Sequence, residues 1–408
     1  SIIAGSPFLR CGMSWNAVSP SERILPVTAP GDGLNEPQRE AVNTLTGPLL
    51  VLAGAGTGKT RVVTFRIANL IRHGTRPEQI LAVTFTNKAA HEMRSRIESL
   101  LQMPTYGMWV GTFHGLCNRL LRAHHKDAGL PSTFQILDTQ DQLSAIKRLL
   151  KSLKVDDEKY PPKQLQYFIA HAKEKGMRSK DMDRGDSFQN TMVELYQAYE
   201  EQCQREGVVD FAELLLRSYE LLKNNQPIRE HYQERFRHIL VDEFQDTNGV
   251  QSEFVTILGG FHHNVFVVGD ADQSIYRFRA ADVRNILLFG ERHPGATTIL
   301  LEENFRSTQT ILDAANAVIS RNETRIPKNL FTQKGRGDKI RLFAAEDEYD
   351  EGRWVIQELQ RFRSELNIAW RDMAVFYRTN AQSRVLEEQC LRSGVPYRVI
   401  AGLRFYDR

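Results

Sequence analysis

Short β-rich runs alternate with amphipathic stretches along most of this chain. The runs lie at Leu49–Leu52, Ile80–Thr84, Met108–Val110, Ile239–Val241, Val265–Val268 and Thr298–Leu301. Helical periodicity separates them at Gln38–Leu45, Arg61–Ile71, Ala89–Leu101, Gln251–Leu258 and Thr308–Ile319. That alternation predicts an α/β fold on a parallel sheet. One stretch departs from it. Leu116 to Leu222 is mostly helical, with Asp138–Leu153, Pro162–Ala172 and Thr191–Arg205 its clearest members. It interrupts the strand pattern and reads as an inserted helical subdomain. A further α/β unit is expected from about Ala281 onward, with strands predicted at Ile340–Phe343, Met373–Phe376 and Tyr397–Ile400.

Length and composition narrow the class. A chain of 408 residues exceeds one ordinary core and predicts two or three domains. With 41% hydrophobic and 25% charged residues, it has the composition of a soluble globular protein. The net charge of +3 argues little for a polyanionic partner. Arg119–Lys180 is locally basic, with 13 Lys/Arg against 7 Asp/Glu, yet a solvated helical face explains that surplus as well as nucleic acid does. The cysteines (Cys11, Cys117, Cys203, Cys390) have no Cys-x-x-Cys spacing. That excludes an ordinary zinc cluster and a disulfide framework, and fits a reducing cytoplasm. No run is long and apolar enough to cross a bilayer, so no membrane partner is expected. The Ser-, Pro- and Gly-rich opening, residues 1–33, does not read as a secretory signal. It is expected to be a disordered extension, with a native start at Met13.

Two segments answer each other across a long gap. Ala53-Gly54-Ala55-Gly56-Thr57-Gly58-Lys59-Thr60 follows the first apolar run and opens a helical pattern. A strand feeding a glycine-rich turn and then a helix aims backbone N–H groups and the positive helix end at a phosphate. Lys59 would reach the outer phosphates, and the Thr60 hydroxyl would take Mg²⁺. Ala53 stands where such loops usually begin with glycine. The second segment, Val241-Asp242-Glu243-Phe244-Gln245-Asp246, ends another apolar run in carboxylates, as a strand end that holds Mg²⁺ and orients water must. Alone, Asp242-Glu243 reads as a solvated acidic loop. The pairing points to nucleoside triphosphate hydrolysis.

Further motifs stand in a fixed order around these two. Leu34-Asn35-Glu36-Pro37-Gln38 precedes the glycine loop; Phe85-Thr86-Asn87-Lys88-Ala89-Ala90 and Gly111-Thr112-Phe113-His114-Gly115 follow it. After the acidic segment come Val268-Gly269-Asp270-Ala271-Asp272-Gln273-Ser274-Ile275-Tyr276-Arg277-Phe278-Arg279 and Glu303-Asn304-Phe305-Arg306-Ser307-Thr308. In order and spacing these resemble the motifs of superfamily 1A DNA helicases of the UvrD/Rep/PcrA type, the UvrD branch most closely. The resemblance runs from Leu34 to Arg408.

That resemblance implies a fold and a set of roles. Two RecA-like P-loop domains are expected, the first formed by residues 34–113 and 207–280 with residues 114–206 inserted. Residues 281–408 would form an incomplete second domain. ATP would lie on Ala53–Thr60, with Gln38 on the adenine edge and Arg61 and Phe305 sandwiching the ring. Glu243 would orient or deprotonate water, and Asp242 with Thr60 would hold the metal. Gln273 would sense the γ-phosphate. Arg306, from the second unit, would reach the transferring phosphoryl and couple closure to hydrolysis; a surface salt bridge is its bland alternative. Phe85, Asn87, Thr112, His114, Tyr276, Phe278 and Arg279 would grip single-stranded DNA through stacking and polar contacts. Phe278 replaces a family tryptophan, Phe305 a family tyrosine, and Arg277 and Ala280 stand where glycine is usual. Tyr276 also reads as a core aromatic.

The implied activity is 3′-to-5′ movement on single-stranded DNA with unwinding at duplex junctions, powered by ATP and Mg²⁺, in cytoplasmic repair or replication, with repair-protein partners. Two rival readings are a nucleotide-gated DNA-binding module without unwinding and the helicase part of a recombination helicase–nuclease. The family pattern continues past Pro396–Tyr406 into a second insertion and two further motifs. The chain is therefore expected to be an N-terminal piece that binds ATP, binds DNA weakly and unwinds nothing alone.

Overall fold

The computed structural model describes residues 33–323 and 325–400. The expectations for residues 1–32, including Met13 and Cys11, and for residues 401–408 lie outside it. Residues up to Gly337 and residues from Asp338 onward form separate compact units.

Parallel strands form the centre of the first unit: β1 (Leu49–Ala53), β2 (Ile80–Thr84), β3 (Trp109–Thr112), β4 (Gln135–Leu137), β5 (Val208–Asp210), β6 (His238–Val241), β7 (Val265–Gly269) and β8 (Thr297–Leu301). Six of them make one sheet in the order β3-β2-β6-β7-β1-β8. The central strands β1, β2, β6 and β7 are largely apolar and buried along their length because both faces are covered. Leu50, Leu52, Leu81, Val83, Ile239, Val241, Val265 and Val267 point into a core shared with helices Phe113–Ala123, Phe211–Asn224 and Gly249–Gly259. Their alternates Leu49, Val51, Ala53, Ile80, Ala82, Leu240, Phe266 and Val268 face helices Glu36–Asn43, Lys59–Arg72 and Asn87–Leu101. The two-residue period of a strand divides one apolar run between two cores. Since every strand is parallel, all their carboxyl ends meet at one edge, where ligands of such sheets bind.

The inserted region has a core of its own, from Ile146 to Cys203, in which Tyr196 and Tyr199 are wholly buried between helices Thr139–Ser152, Pro162–Glu174 and Ser187–Glu206. Helix Phe113–Ala123 does not belong to it; Leu116, Cys117, Leu120 and Leu121 pack on the main sheet. The insertion enters and leaves through β4 and β5, a two-stranded parallel pair. At that neck Lys173 Nζ lies 2.7 Å from Asp210 and 2.9 Å from Glu213, and Arg178 and Arg217 also bind Glu213. Burial alone would push the Glu213 carboxyl up, but these three cations hold it well below its usual range.

Beyond the first sheet the strand expectations fail. Residues 340–343, 373–376 and 397–400 are not strands. β-propensity records fit to a pleated, half-buried surface, and a parallel strand needs a paired neighbour. These runs find neither among the described residues, and Leu342 and Phe376 are 98% and 93% exposed. Thr297–Leu301 pairs instead with β1, on the edge of the first sheet. Within the second unit, helices Glu348–Glu365 and Ser383–Arg392 pack through Ile356, Cys390 and Val395.

Candidate nucleotide site and aromatic strip

β1 ends at Ala53 and the chain turns into helix Lys59–Arg72 through the glycine loop. Gly58, the residue before the helix, has φ +86° and Gly56 has φ +71°, a region that costs other residues strain. A Cβ at Gly56 would also lie 2.5 Å from Asn304 Nδ2. Ala53 needs no such freedom: it is buried in β1, which is why alanine serves at this position. Protein donors hold the loop carbonyls. Asn304 Nδ2 donates to Ala55 O at 2.5 Å, the Phe305 N–H to Gly56 O at 2.9 Å, and Gln38 Nε2 to Thr57 O at 2.8 Å. The loop's carbonyls are thereby turned to protein partners rather than to the seat of an anion.

The acidic strand end stands across the same edge. Lys59 Nζ lies 3.3 Å from Glu243 Oε2 and 3.2 Å from Gln273 Oε1. Glu243 adopts φ +51°, a strained conformation for a non-glycine residue. Gln245 ties the two carboxylate segments together: its Nε2 donates to Glu243 at 2.8 Å, and its Oε1 accepts from the Asp270 N–H at 2.9 Å. Burial pushes the Asp242 carboxyl up to about 7, helped by the neighbouring Glu243 charge and opposed by Lys59 and by a hydrogen bond from the Thr60 side chain. Asp246 is raised to about 6 for the same first reason, and its Oδ1 is buried without a partner. Carboxylates crowded at such cost, with a threonine hydroxyl on one of them, fit a divalent cation shared with phosphate oxygens.

The structure brings Arg306 to this loop as well. Asn304 Oδ1 accepts from the Arg306 and Ser307 N–H groups at 2.8 and 2.7 Å, which fixes the turn directly above Gly56. Two residues are engaged in ways the sequence does not reveal. Gln38 completes a helix cap, its Oε1 accepting from the Asn35 N–H at 3.0 Å, so the amide expected on adenine already braces the loop. Arg61 lies over the Phe65 ring at 5.2 Å. Phe305 is exposed.

On the β2 side of the same edge, aromatic rings form a strip. Phe85, just past β2, stacks on Tyr276 at 5.0 Å between centroids, and Tyr276 meets Phe278 at 6.0 Å. Phe278 is 63% exposed. Tyr276 is therefore half-buried within the strip rather than in a core. Asn87 is exposed at the start of its helix. Thr112 accepts from the Gly115 N–H and caps the next helix. His114 makes an edge contact with the exposed ring of Phe211, and burial lowers its pKa. Sequence reading missed Phe211, Gln245 and Asn304 as site components.

Residues 34–294 match the family model for the UvrD/REP helicase N-terminal domain. The chain belongs to the UvrD/REP helicase family. Residues 299–408 match the UvrD-like helicase C-terminal domain. DNA helicase II of Escherichia coli is 51% identical over 379 residues, covering 92% of this chain and 52% of that protein. DNA helicase II of Haemophilus influenzae is 50% identical over 383 residues, covering 92% and 52%. ATP-dependent DNA helicase PcrA of Bacillus subtilis is 43% identical over 380 residues, covering 92% and 51%. The chain thus spans about half the length of the relatives it matches. Among the described residues no helix is long and apolar enough to cross a membrane.

Proposed function

We propose that this chain carries the ATP-hydrolysing machinery of a DNA helicase that moves 3′-to-5′ along single-stranded DNA in repair or replication. The observation that carries the reading is the convergence of Lys59, Asp242, Glu243 and Gln273 at one sheet edge, with the Arg306 turn bonded to the glycine loop. Lys59 binds the β- and γ-phosphates, and the loop N–H groups cradle the chain of phosphates. Thr60 and Asp242 hold Mg²⁺, which when bound neutralises charge on the phosphate oxygens. Glu243 takes the proton of the attacking water, and Arg306 stabilises the charge on the transferring phosphoryl. Phe305 and Arg61 flank adenine, while Gln38, its amide bonded to the Asn35 N–H and to Thr57 O, braces the loop beside it. Phe85, Asn87, Thr112, His114, Tyr276, Phe278 and Arg279 grip the DNA strand, bases stacking on the exposed rings.

The residues divide, in this reading, into a first RecA-like domain that takes in helix Phe113–Ala123 and strand Thr297–Leu301, a helical insertion between β4 and β5, and the beginning of a second domain. The action is cytoplasmic. The test is steady-state ATP turnover by the chain with and without Mg²⁺ and single-stranded DNA. Turnover that needs Mg²⁺ and rises with DNA is expected. Nucleotide binding without turnover would replace hydrolysis by nucleotide-gated DNA binding.

A further inference from the structure

The loop after β7 is gripped by a segment that sequence reading passed over. The Arg325–Phe331 segment is held at its far end: Asn316 exchanges hydrogen bonds with the Leu330 backbone, Glu302 accepts from the Asn329 and Phe331 N–H groups, and Phe331 O accepts from the Asn304 N–H. From this rigid stretch Lys328 extends into a buried cluster. Its ammonium lies 2.5 Å from Asp270 Oδ1 and also contacts Asp272, which Arg325 binds at 3.2 Å. Two carboxylates and two cations balance there, out of water.

Asp270 is the hinge of the cluster. Its Oδ1 also accepts from the Asp272 N–H at 3.0 Å, and its Oδ2 accepts from Gln273 Nε2 at 2.6 Å. With Oδ1 held by Lys328 and a backbone amide, the carboxylate cannot rotate, and Oδ2 stays aimed at Gln273. That fixes which end of the Gln273 amide faces Lys59: the carbonyl, at 3.2 Å. An amide so anchored presents one polarity to the phosphate seat; a free one presents either. The same segment meets the phosphate loop, for a Cβ at Gly54 would overlap Leu330.

We infer that Lys328 is a positioning residue for Gln273, acting through Asp270 and reporting the placement of the Arg325–Phe331 segment to the nucleotide site. The inference rests on the reading of that site given above. Removing the ammonium leaves Asp270 and Asp272 facing each other with one cation fewer, so Asp270 turns and Gln273 loses its anchor. The seat for the phosphates, made by Lys59 and the glycine loop, is not touched.

Lys328→Met, Gln273→Ala and the double variant test this on the whole chain. In the unmodified background Lys328→Met should lower kcat for ATP about tenfold, with KM within about twofold. In the Gln273→Ala background it should lower kcat no further. A general structural role predicts the same loss in both backgrounds, and that result overturns the inference. Thermal unfolding supplies a readout independent of turnover: the two Tm shifts should fail to add by about 2–4 °C. Additive shifts overturn the inference too. If the unmodified chain turns over no ATP, the hydrolytic reading fails and the thermal cycle decides Lys328 by itself. Lys328→Gln keeps an N–H donor toward Asp270 and replaces the methionine variant should that one not fold; its loss should be smaller and equally dependent on Gln273.

Discussion

The Lys59 ammonium lies 3.3 Å from a carboxylate oxygen of Glu243. In the proposed hydrolysis the two side chains have different tasks, one on the phosphates and the other on water, so their pairing would open when nucleotide enters. It also neutralises part of a cluster in which burial and like charge already raise Asp242 and Asp246. The two groups therefore predict different outcomes when removed. Lys59→Ala should abolish ATP turnover while the circular dichroism spectrum is retained, because the charge held against the phosphates is gone. Turnover at the unmodified rate would remove Lys59 from the site. Glu243→Gln should bind ATP with Mg²⁺ yet hydrolyse it at least about 100-fold more slowly, as the water loses its base. Loss of nucleotide binding in that variant would make Glu243 structural.

Phe278 is the most exposed ring of the strip that begins with Phe85 and Tyr276. Phe278→Ala should weaken single-stranded DNA binding by about 1–3 kcal/mol, the usual contribution of one stacked base. ATP turnover without DNA should stay close to that of the parent. Phe278→Trp enlarges the face and should hold or tighten binding. Fluorescence anisotropy with a labelled oligonucleotide measures all three proteins, and marked weakening by tryptophan would argue against stacking.

Ala280 closes the same loop with φ +54°, in the left-handed region. Alanine adopts that conformation at a cost that glycine does not bear. Ala280→Gly should therefore leave the protein as stable or more stable by about 0.5–1 kcal/mol, the strain relieved outweighing the added freedom of the unfolded chain. Urea unfolding checks the sign. A clear loss of stability would mean that the Ala280 methyl contributes packing.

Local pattern made the first sheet legible. Runs such as Leu49–Ala53 and Val265–Gly269 carry enough apolar residues to cover both faces, and the glycine loop and Asp242–Glu243 follow such runs directly. Contacts between polar residues far apart in the chain left no such trace. Asn304 on Ala55, Gln245 on Asp270 and Lys328 on Asp270 join separate loops that meet only because parallel strands bring their carboxyl ends together. The failed strands show the converse. Ile340–Phe343 has the right composition, but a strand is completed by its neighbours and none pairs with it among the described residues. The family pattern points Gln38 at adenine; its buried cap and its bond to Thr57 are visible only in three dimensions.

His238 begins β6, the strand that delivers Asp242 and Glu243. Burial first, then the nearby Arg66 charge, lowers its pKa to about 4. The folded value lies below the unfolded one of about 6.5, so the folded state binds fewer protons between them. Stability from the neutral imidazole is fully present above pH 6.5 and is lost as pH falls toward 4. His238→Gln removes that titration. Its stability relative to the parent should improve by on the order of 1–2 kcal/mol between pH 7 and pH 4, measured by urea unfolding at each pH. A difference independent of pH would mean that His238 takes up its proton as readily in the folded protein as in the unfolded chain.

Lys173 offers the sharpest test of how the insertion is joined to the sheet domain. Burial pulls its pKa down, but Asp210 and Glu213 outweigh that and raise it, so the ammonium stays charged out of water. Helix Pro162–Glu174 carries Lys173, while Asp210 and Glu213 stand at the start of helix Phe211–Asn224, which packs on the main sheet. Lys173→Met leaves Asp210 with hydrogen bonds from Tyr199 and Gln142 and without this cation. The expected loss is about 3–5 kcal/mol, the usual result of breaking one side of a buried ion pair. Asp210 also caps its helix, its Oδ1 accepting from the Glu213 N–H at 2.7 Å. Asparagine caps nearly as well, so adding Asp210→Asn to Lys173→Met should recover part of that loss by discarding the uncompensated charge and keeping the cap. Urea unfolding of the single and double variants measures the recovery. If the double variant is weaker by the full sum of the two single effects, the ammonium and Asp210 act independently.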